Sequence, residues 1–153
     1  MKRLFCIIIV IFLTSCGFEV VKQLRFEKYY ISKIDTVGDK KINYIIKNNL
    51  LNFSNNVNKK PLTLELTTNK FKSIKEKNIK NEITKYEIKI EVNIKISGIS
   101  NVNNQIKISE NGEYTVNNQH SKTINNEKKL IETLAATLSE NLIIELSERL
   151  NDI

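Results

Sequence analysis

The strictest alternation in the chain lies in TKYEIKIEVNIKIS, residues 84–97. Tyr86, Ile88, Ile90, Val92, Ile94 and Ile96 share one parity, and Lys85, Glu87, Lys89, Glu91, Asn93 and Lys95 the other. A period of two with one wholly polar side predicts a long antiparallel strand, one face in the core and the other solvated. LTLELTT (62–68) alternates in the same way and predicts a half-buried strand that continues less regularly through Phe71 and Ile74. KEKNIKNE (75–82) has no apolar period and predicts a hairpin tip. Upstream, LRFEKYYISKID (24–35) is aromatic and β-branched and predicts a first strand, broken at Gly38. Past Gly98 and an NVNN turn, Ile106, Ile108, Tyr114 and Val116 keep one parity. Asn111-Gly112 is a hairpin signal, whereas the shared parity favours one strand with a local irregularity. The pattern leaves residues 104–118 open between a strand and a hairpin.

Two segments change period. After Gly38, Asp39 is a candidate N-cap for a helix to about Ser54, with Ile42, Ile45, Ile46, Leu50 and Phe53 at helical spacing. Asn48, Asn49, Asn52 and Asn55 make it intrinsically weak, so it depends on packing, and Asn55 to Pro61 reads as a polar connection. After His120 the period changes again: from Asn125 or Asn126 to about Asn151, Leu130, Leu134, Leu138, Leu142, Leu146 and Leu150 recur at steps of four. Ala135 and Ala136 allow close packing, and Glu127 favours the helix start. Helices with one apolar stripe each and a sheet with one apolar face bury one another only as two layers. The expectation is an α+β two-layer sandwich, a mostly antiparallel four-stranded sheet on two helices in the order β-α-β-β-β-α.

The N-terminal run lies outside this scheme. Lys2 and Arg3 precede ten unbroken apolar residues, Leu4 to Leu13. That is short of the ~20 residues a membrane-spanning helix needs, but suits the apolar region of a secretory signal. Leu13-Thr14-Ser15-Cys16 then resembles a bacterial lipobox, in which the thiol takes a diacylglyceryl group and the chain is cut just before the cysteine. Residues 1–15 are thus expected as a lipoprotein signal peptide, 16–23 as a lipidated linker and 24–153 as the folded domain. Cys6 would leave with the signal, so Cys16 would stand alone and no disulfide is expected. Each buried methylene contributes ~0.8 kcal/mol, so two or three acyl chains anchor firmly. Gly17 stands where inner-membrane lipoproteins often carry Asp, which favours the outer membrane.

Charge and chemistry narrow the function. The formal net charge is +7, and without Lys2 and Arg3 the basic residues number 22 against 17 acids. A positive surface suits anionic partners, but an exported protein does not meet nucleic acid, so no nucleic-acid partner is expected. His120 is the single histidine and reads as a loop residue; there is no nucleophile-elbow spacing, metal-ligand cluster or glycine-rich phosphate loop. Neither catalysis nor a cofactor or metal is expected. Lys72, Lys75, Lys77 and Lys80 cluster at the tip between the second and third strands, and Lys122 sits before the last helix. Such lysines suit phosphate or carboxylate groups of a glycolipid. The polar sheet face would suit the polar lumen of an outer-membrane barrel.

Together LTSCGF (13–18), KYEIKIEVNIKI (85–96), NNEKKLIETLAATLSENLIIELSERL (125–150) and the element order resemble the lipopolysaccharide-assembly lipoprotein family LptE. The chain departs from many members after CGF, where Glu19-Val20-Val21 replaces a frequent Pro-containing continuation. The resemblance implies a non-enzymatic lipoprotein on the periplasmic side of the outer membrane, tethered through Cys16. It would plug and help assemble an LptD-like β-barrel and assist lipopolysaccharide transport to the outer leaflet. It also implies lipopolysaccharide binding by basic residues near Lys77, Lys80 and Lys122. The competing expectation is a periplasmic carrier that holds a lipid in a groove between helices and sheet, lined by side chains such as Ile88, Ile90 and Leu138.

Overall fold

Alternation becomes burial wherever a helix lies over the sheet. The computed structural model describes residues 26, 28–54, 59–99 and 105–151; the expected signal peptide, Cys16, the expected linker and the expected turn at NVNN fall outside them. Six elements follow in order: β1 (Tyr29–Gly38), α1 (Lys40–Phe53), β2 (Lys60–Lys77), β3 (Ile83–Ser97), β4 (Gln105–Thr115) and α2 (His120–Asn151). The sheet runs β1-β2-β3-β4, parallel between β1 and β2 and antiparallel elsewhere. This is the expected α+β fold in the expected order, its one parallel pair created by the α1 crossover.

On the inner face Leu62, Leu64 and Leu66 of β2, Ile88, Ile90, Val92, Ile94 and Ile96 of β3, and Ile106 of β4 are buried. Ile42, Ile46 and Leu50 of α1, and Leu138, Leu142, Leu146 and Leu150 of α2, close over them. Burying one such side chain contributes ~1.5–3 kcal/mol, so these residues dominate the stability. Ile88, Ile90 and Leu138, the side chains expected to line a lipid groove, are wholly buried in this core. The carrier expectation is therefore left without a groove at those positions.

Several boundaries move for identifiable reasons. β1 occupies 29–38 rather than 24–35, because its first ladder partner is Lys60, opposite Tyr29. Phe26 packs edge-on to Phe53 at 5.2 Å between ring centroids instead of pairing in the sheet. β2 runs to Lys77, and only residues 78–82 form the tip, organised by Asn78. The Asn78 side-chain oxygen accepts from the amides of Lys80 (2.9 Å) and Glu82 (3.0 Å), and Asn81 takes the positive φ of 62°. α2 begins at His120 rather than Asn125 or Asn126. Its first turn, His120 to Thr123, is polar and hides from a hydrophobic period. Thr123 Oγ1 accepts from the Asn117 amide (2.8 Å) and donates to its carbonyl (3.2 Å), tying the entry together. Asp39 caps α1 as expected, accepting from the Lys41 and Ile42 amides.

Residues 105–115 are one strand, paired with β3 from Lys95↔Gln105 to Lys85↔Thr115. Gly112 is not a turn residue but a packing site. A Cβ there would lie 2.7 Å from Leu130 Cδ1 and 3.5 Å from Leu134 Cδ2, so the missing side chain lets α2 settle on β4. Leu130 can swing its methyl aside, so Gly112→Ala is expected to change stability by less than ~1 kcal/mol, the clash offset by lost unfolded-state entropy. Gly112→Val overpacks the contact and is expected to cost ~1–3 kcal/mol, partly restored by Leu130→Ala. Urea unfolding of the three variants checks this; a Val variant as stable as the parent would contradict the packing role.

Candidate functional site

At the hairpin end of the sandwich the inner face runs past the apolar stripe of α2, and polar side chains replace leucines. Lys72 has the same parity as Leu62, Leu64 and Leu66, and sits opposite Ile88. Tyr86 and Tyr114 face each other across β3 and β4, their rings stacked at 5.7 Å. The Lys72 ammonium lies over both, 4.4 Å from the Tyr86 centroid and 5.4 Å from that of Tyr114, an arrangement favoured by the ring quadrupole. Glu127, two turns into α2, closes the cluster: its Oε2 is 2.7 Å from Lys72 Nζ and accepts from the Tyr114 hydroxyl at 2.7 Å.

The ionisation of the cluster follows from these contacts. Burial alone raises the Glu127 carboxyl, but hydrogen bonds from Lys72 and Tyr114 and attraction by Lys72 and Lys70 outweigh it and hold the pKa low. Burial opposes the Lys72 charge, yet the bond to Glu127 and then the contact with Tyr114 raise its pKa above the ordinary lysine value. Burial first, and the neighbouring carboxylate with it, raise the Tyr114 phenol against the opposing pull of Lys72. A carboxylate depressed in the folded state stabilises above its unfolded pKa and loses that contribution as pH falls through its folded one. Glu127→Gln is therefore expected to lower stability by ~1 kcal/mol near neutral pH, a pair this exposed being heavily screened. In urea unfolding the gap should narrow as pH falls below the ordinary glutamate range, and close once the pH has passed through the lowered Glu127 pKa and the carboxyl is protonated in both states. A gap that does not narrow as the solution is acidified would assign the loss to packing instead.

Beside the cluster opens a cleft of about 350 Å³ lined by Lys72, Tyr86, Asn117, His120, Thr123 and Glu127, among others. Val116, Asn117 and Asn118 also border a second cleft of about 330 Å³, which Lys122 lines. The single histidine thus opens α2 and faces a cleft, where the sequence pattern placed it in a loop. The amides, the imidazole and the Lys72 ammonium that line the cleft suit hydroxyl groups and anionic substituents. Among the described residues no group of three or more His, Cys, Asp or Glu side chains is placed to hold a metal.

Of the lysines singled out in the sequence, Lys77 and Lys80 stand at the exposed tip and Lys122 at the neighbouring start of α2. The ladder bond from the Val116 amide to the Thr84 carbonyl (2.8 Å) joins these regions at one end of the sheet. Lys77 Nζ donates to the Asn81 side chain at 3.0 Å, and Lys80 makes no ion pair among the described residues. Lys75 is different: it turns to the outer face and pairs with Glu87 at 3.1 Å. The Lys72–Tyr86–Tyr114–Glu127 cluster was not foreseen as a site. Its one sequence signal is a lysine at an inward parity, read only once the β2–β3 register is known.

The outer face of the sheet is polar over most of its length and nearly balanced in charge. Lys95 lies 3.7 Å from Glu65, Lys89 2.7 Å from Glu91, and Lys85 2.9 Å from Glu76 and 3.8 Å from Glu113. Exposed pairs of this kind contribute at most ~1 kcal/mol each, so their consequence is a wettable face rather than stability. Among the described residues no helix is long and apolar enough to cross a membrane.

The fold is shared with solved structures of lipoproteins. Rare lipoprotein B from Shewanella oneidensis aligns with a TM-score of 0.61 at 10% identity, over 76% of this chain and 95% of that one. A minor lipoprotein from Acinetobacter baumannii gives 0.56 at 12% identity, over 81% and 92%. The uncharacterized lipoprotein B of Nitrosomonas europaea gives 0.52 at 10% identity, over 78% and 82%. At these identities the likeness is one of fold. No protein-family model and no curated protein matches the sequence.

Proposed function

We propose that the chain is an outer-membrane lipoprotein, tethered on the periplasmic side through Cys16, that plugs an LptD-like β-barrel and assists lipopolysaccharide delivery. The observation that carries this reading is the pairing of two surfaces on one lipobox-bearing chain. The charge-balanced sheet face matches a water-filled barrel lumen. The hairpin end carries Lys77 and Lys80, and the neighbouring clefts are lined by Lys72, Lys122, Tyr86, His120 and amide side chains, which matches the phosphates and hydroxyls of a glycolipid headgroup. The shared fold with proteins described as lipoproteins supports the same reading. No step in it needs a nucleophile or a cofactor.

Lipopolysaccharide binding by the purified chain tests the headgroup role. Lys77→Glu with Lys80→Glu is expected to weaken binding about tenfold at moderate salt, and Lys122→Glu to add to the loss, because each reversal turns an attraction at an exposed site into a repulsion. The loss should shrink as salt is raised. Affinity unchanged by the reversals would remove these lysines from the site.

A further inference from the structure

A second stripe of α1 turns toward the edge of β1. Lys40, Asn43, Tyr44 and Lys47 recur at i, i+3, i+4 and i+7, so they share one face of the helix, beside the buried stripe of Ile42, Ile46 and Leu50. With Thr36 and Gly38 of β1 these residues line a cleft of about 360 Å³, a size that suits a small ligand. Lys47 Nζ bridges helix and strand, donating to the Ile34 carbonyl at 3.2 Å. Asn43 supplies a buried donor, being only 5% exposed. The Thr68 hydroxyl accepts from the Asp39 amide at 3.2 Å, so its own proton goes to Asn43 Oδ1 at 2.9 Å. That relay fixes the amide with its oxygen toward Thr68 and leaves the Nδ2 hydrogens without a partner among the described residues. Among those residues only Thr84 Oγ1 is a sealed side-chain polar atom without a partner. Asn43 Nδ2 is therefore not sealed, and the space that Asn43 lines is this cleft. A donor held in this way calls for an acceptor.

Charge decides which acceptor. The cleft residues include two lysines and no carboxylate. The acids nearby are engaged elsewhere: Asp35 with Lys33 at 2.8 Å, Asp39 with Lys70 at 3.0 Å, and Glu132 with Lys41 at 2.8 Å. Lys40 and Lys47 make no ion pair among the described residues, so both ammonium charges are left for a ligand. The amide of Asn43 and the hydroxyls of Thr36 and Tyr44 add further donors. A carboxylate, with two oxygens and one charge, would leave part of this set unused. A phosphate monoester brings three terminal oxygens and a charge of about −1.5 to −2, and ammonium and amide donors bind such oxygens strongly. We propose that the cleft between α1 and the end of β1 binds a phosphate monoester, its oxygens held by Lys40, Lys47 and the Asn43 amide. A small soluble ester and a lipid headgroup share this chemistry. The site does not rest on the glycolipid reading, since its residues come from β1 and α1 and none from the hairpin end.

Titrating the isotope-labelled full chain with inorganic phosphate, glycerol phosphate and dihexanoyl phosphatidic acid tests this and separates the sources. The expected result is saturable binding of a phosphate probe that moves the Asn43 side-chain amide resonances, with acetate ineffective at equal concentration. Tighter binding of glycerol phosphate assigns the ligand to soluble esters, tighter binding of the phosphatidic acid to lipids, and equal binding to the phosphate group alone; each outcome keeps the site. Lys40→Gln with Lys47→Gln should weaken binding about tenfold or more, and glutamine at 47 can still donate to the strand. Asn43→Asp keeps an oxygen for Thr68 but sets a negative oxygen where Nδ2 donates, and should abolish binding. Lys77→Glu with Lys80→Glu should leave glycerol phosphate binding unchanged, which separates this site from the headgroup role. Saturable binding of none of the three probes, an equal response to acetate, binding indifferent to the Lys40 and Lys47 changes, or binding lost with the Lys77 and Lys80 reversals instead would each overturn it.

Discussion

Gly38→Ala is expected to destabilise the domain by ~3 kcal/mol or more, the sum of backbone strain and overpacking at one position. Gly38 is the last residue of β1, with φ at +107°, where an L side chain is strained. A Cβ there would lie 2.0 Å from the Thr68 carbonyl oxygen and 2.8 Å from Thr68 Oγ1. The near atom is backbone, so no rotamer change relieves it. Thr68 is itself engaged: its hydroxyl accepts from the Asp39 amide (3.2 Å) and donates to Asn43 Oδ1 (2.9 Å), and both Thr68 and Asn43 are buried. Moving Thr68 therefore disturbs the cap of α1 and the end of the parallel β1–β2 pair together. Gly98 supplies the comparison. Its φ is +108°, but a Cβ would meet the Pro61 carbonyl at 3.3 Å. Gly98→Ala should carry the backbone strain with little of the clash, and cost at least 1 kcal/mol less than Gly38→Ala. Urea unfolding of both measures the difference; equal losses would contradict a clash at Gly38.

Cys16→Ser is expected to move the protein from the membrane to the soluble periplasmic fraction almost completely. Each acyl methylene contributes ~0.8 kcal/mol to membrane binding, so two or three chains outweigh any weak surface contact of the domain. Serine keeps the size of the side chain but removes the sulfur that would accept a diacylglyceryl group on the proposed tether. The folded domain should be unaffected, with the same urea midpoint as the mature parent. Membrane fractionation with detection of the acylated form reads the result. A Cys16→Ser chain that stays in the membrane fraction would mean that something other than a lipid on Cys16 holds it there.

What the sequence disclosed and what it hid have physical causes. β3 was readable because its neighbours and the helices impose one inside and one outside from Ile88 to Ile96. α2 was readable from Leu130 onward because its stripe faces the sheet continuously. Its first turns were not, since His120 to Thr123 are held by hydrogen bonds from the loop rather than by an apolar face. Asn111-Gly112 kept a hairpin open against the shared parity, because a glycine in an Asn-Gly pair usually serves backbone conformation; here it clears space for Leu130, a partner in another element. The tyrosine–lysine cluster was hidden for a related reason. Tyr86 and Tyr114 are 28 positions apart and meet through the β3–β4 register, and Lys72 joins them only through β2–β3. Sequence parity tells which face a side chain takes, but not which residues share it across strands. Lys77, Lys80 and Lys122 were legible as charges near two chain turns, and their common end of the sheet follows from topology.

The central claim, that the polar sheet face sits within a barrel, is tested most directly by photo-crosslinking in the outer membrane. A photoreactive residue placed at Lys95 or at Lys107, on the outer face of β3 or β4, should capture one large protein. That protein should change its mobility on heating, as a folded β-barrel does. The same probe at Leu138, within the core, should capture nothing. If the tagged lipoprotein reaches the outer membrane and neither Lys95 nor Lys107 crosslinks to a barrel, the sheet face meets only periplasmic water and the plug is contradicted.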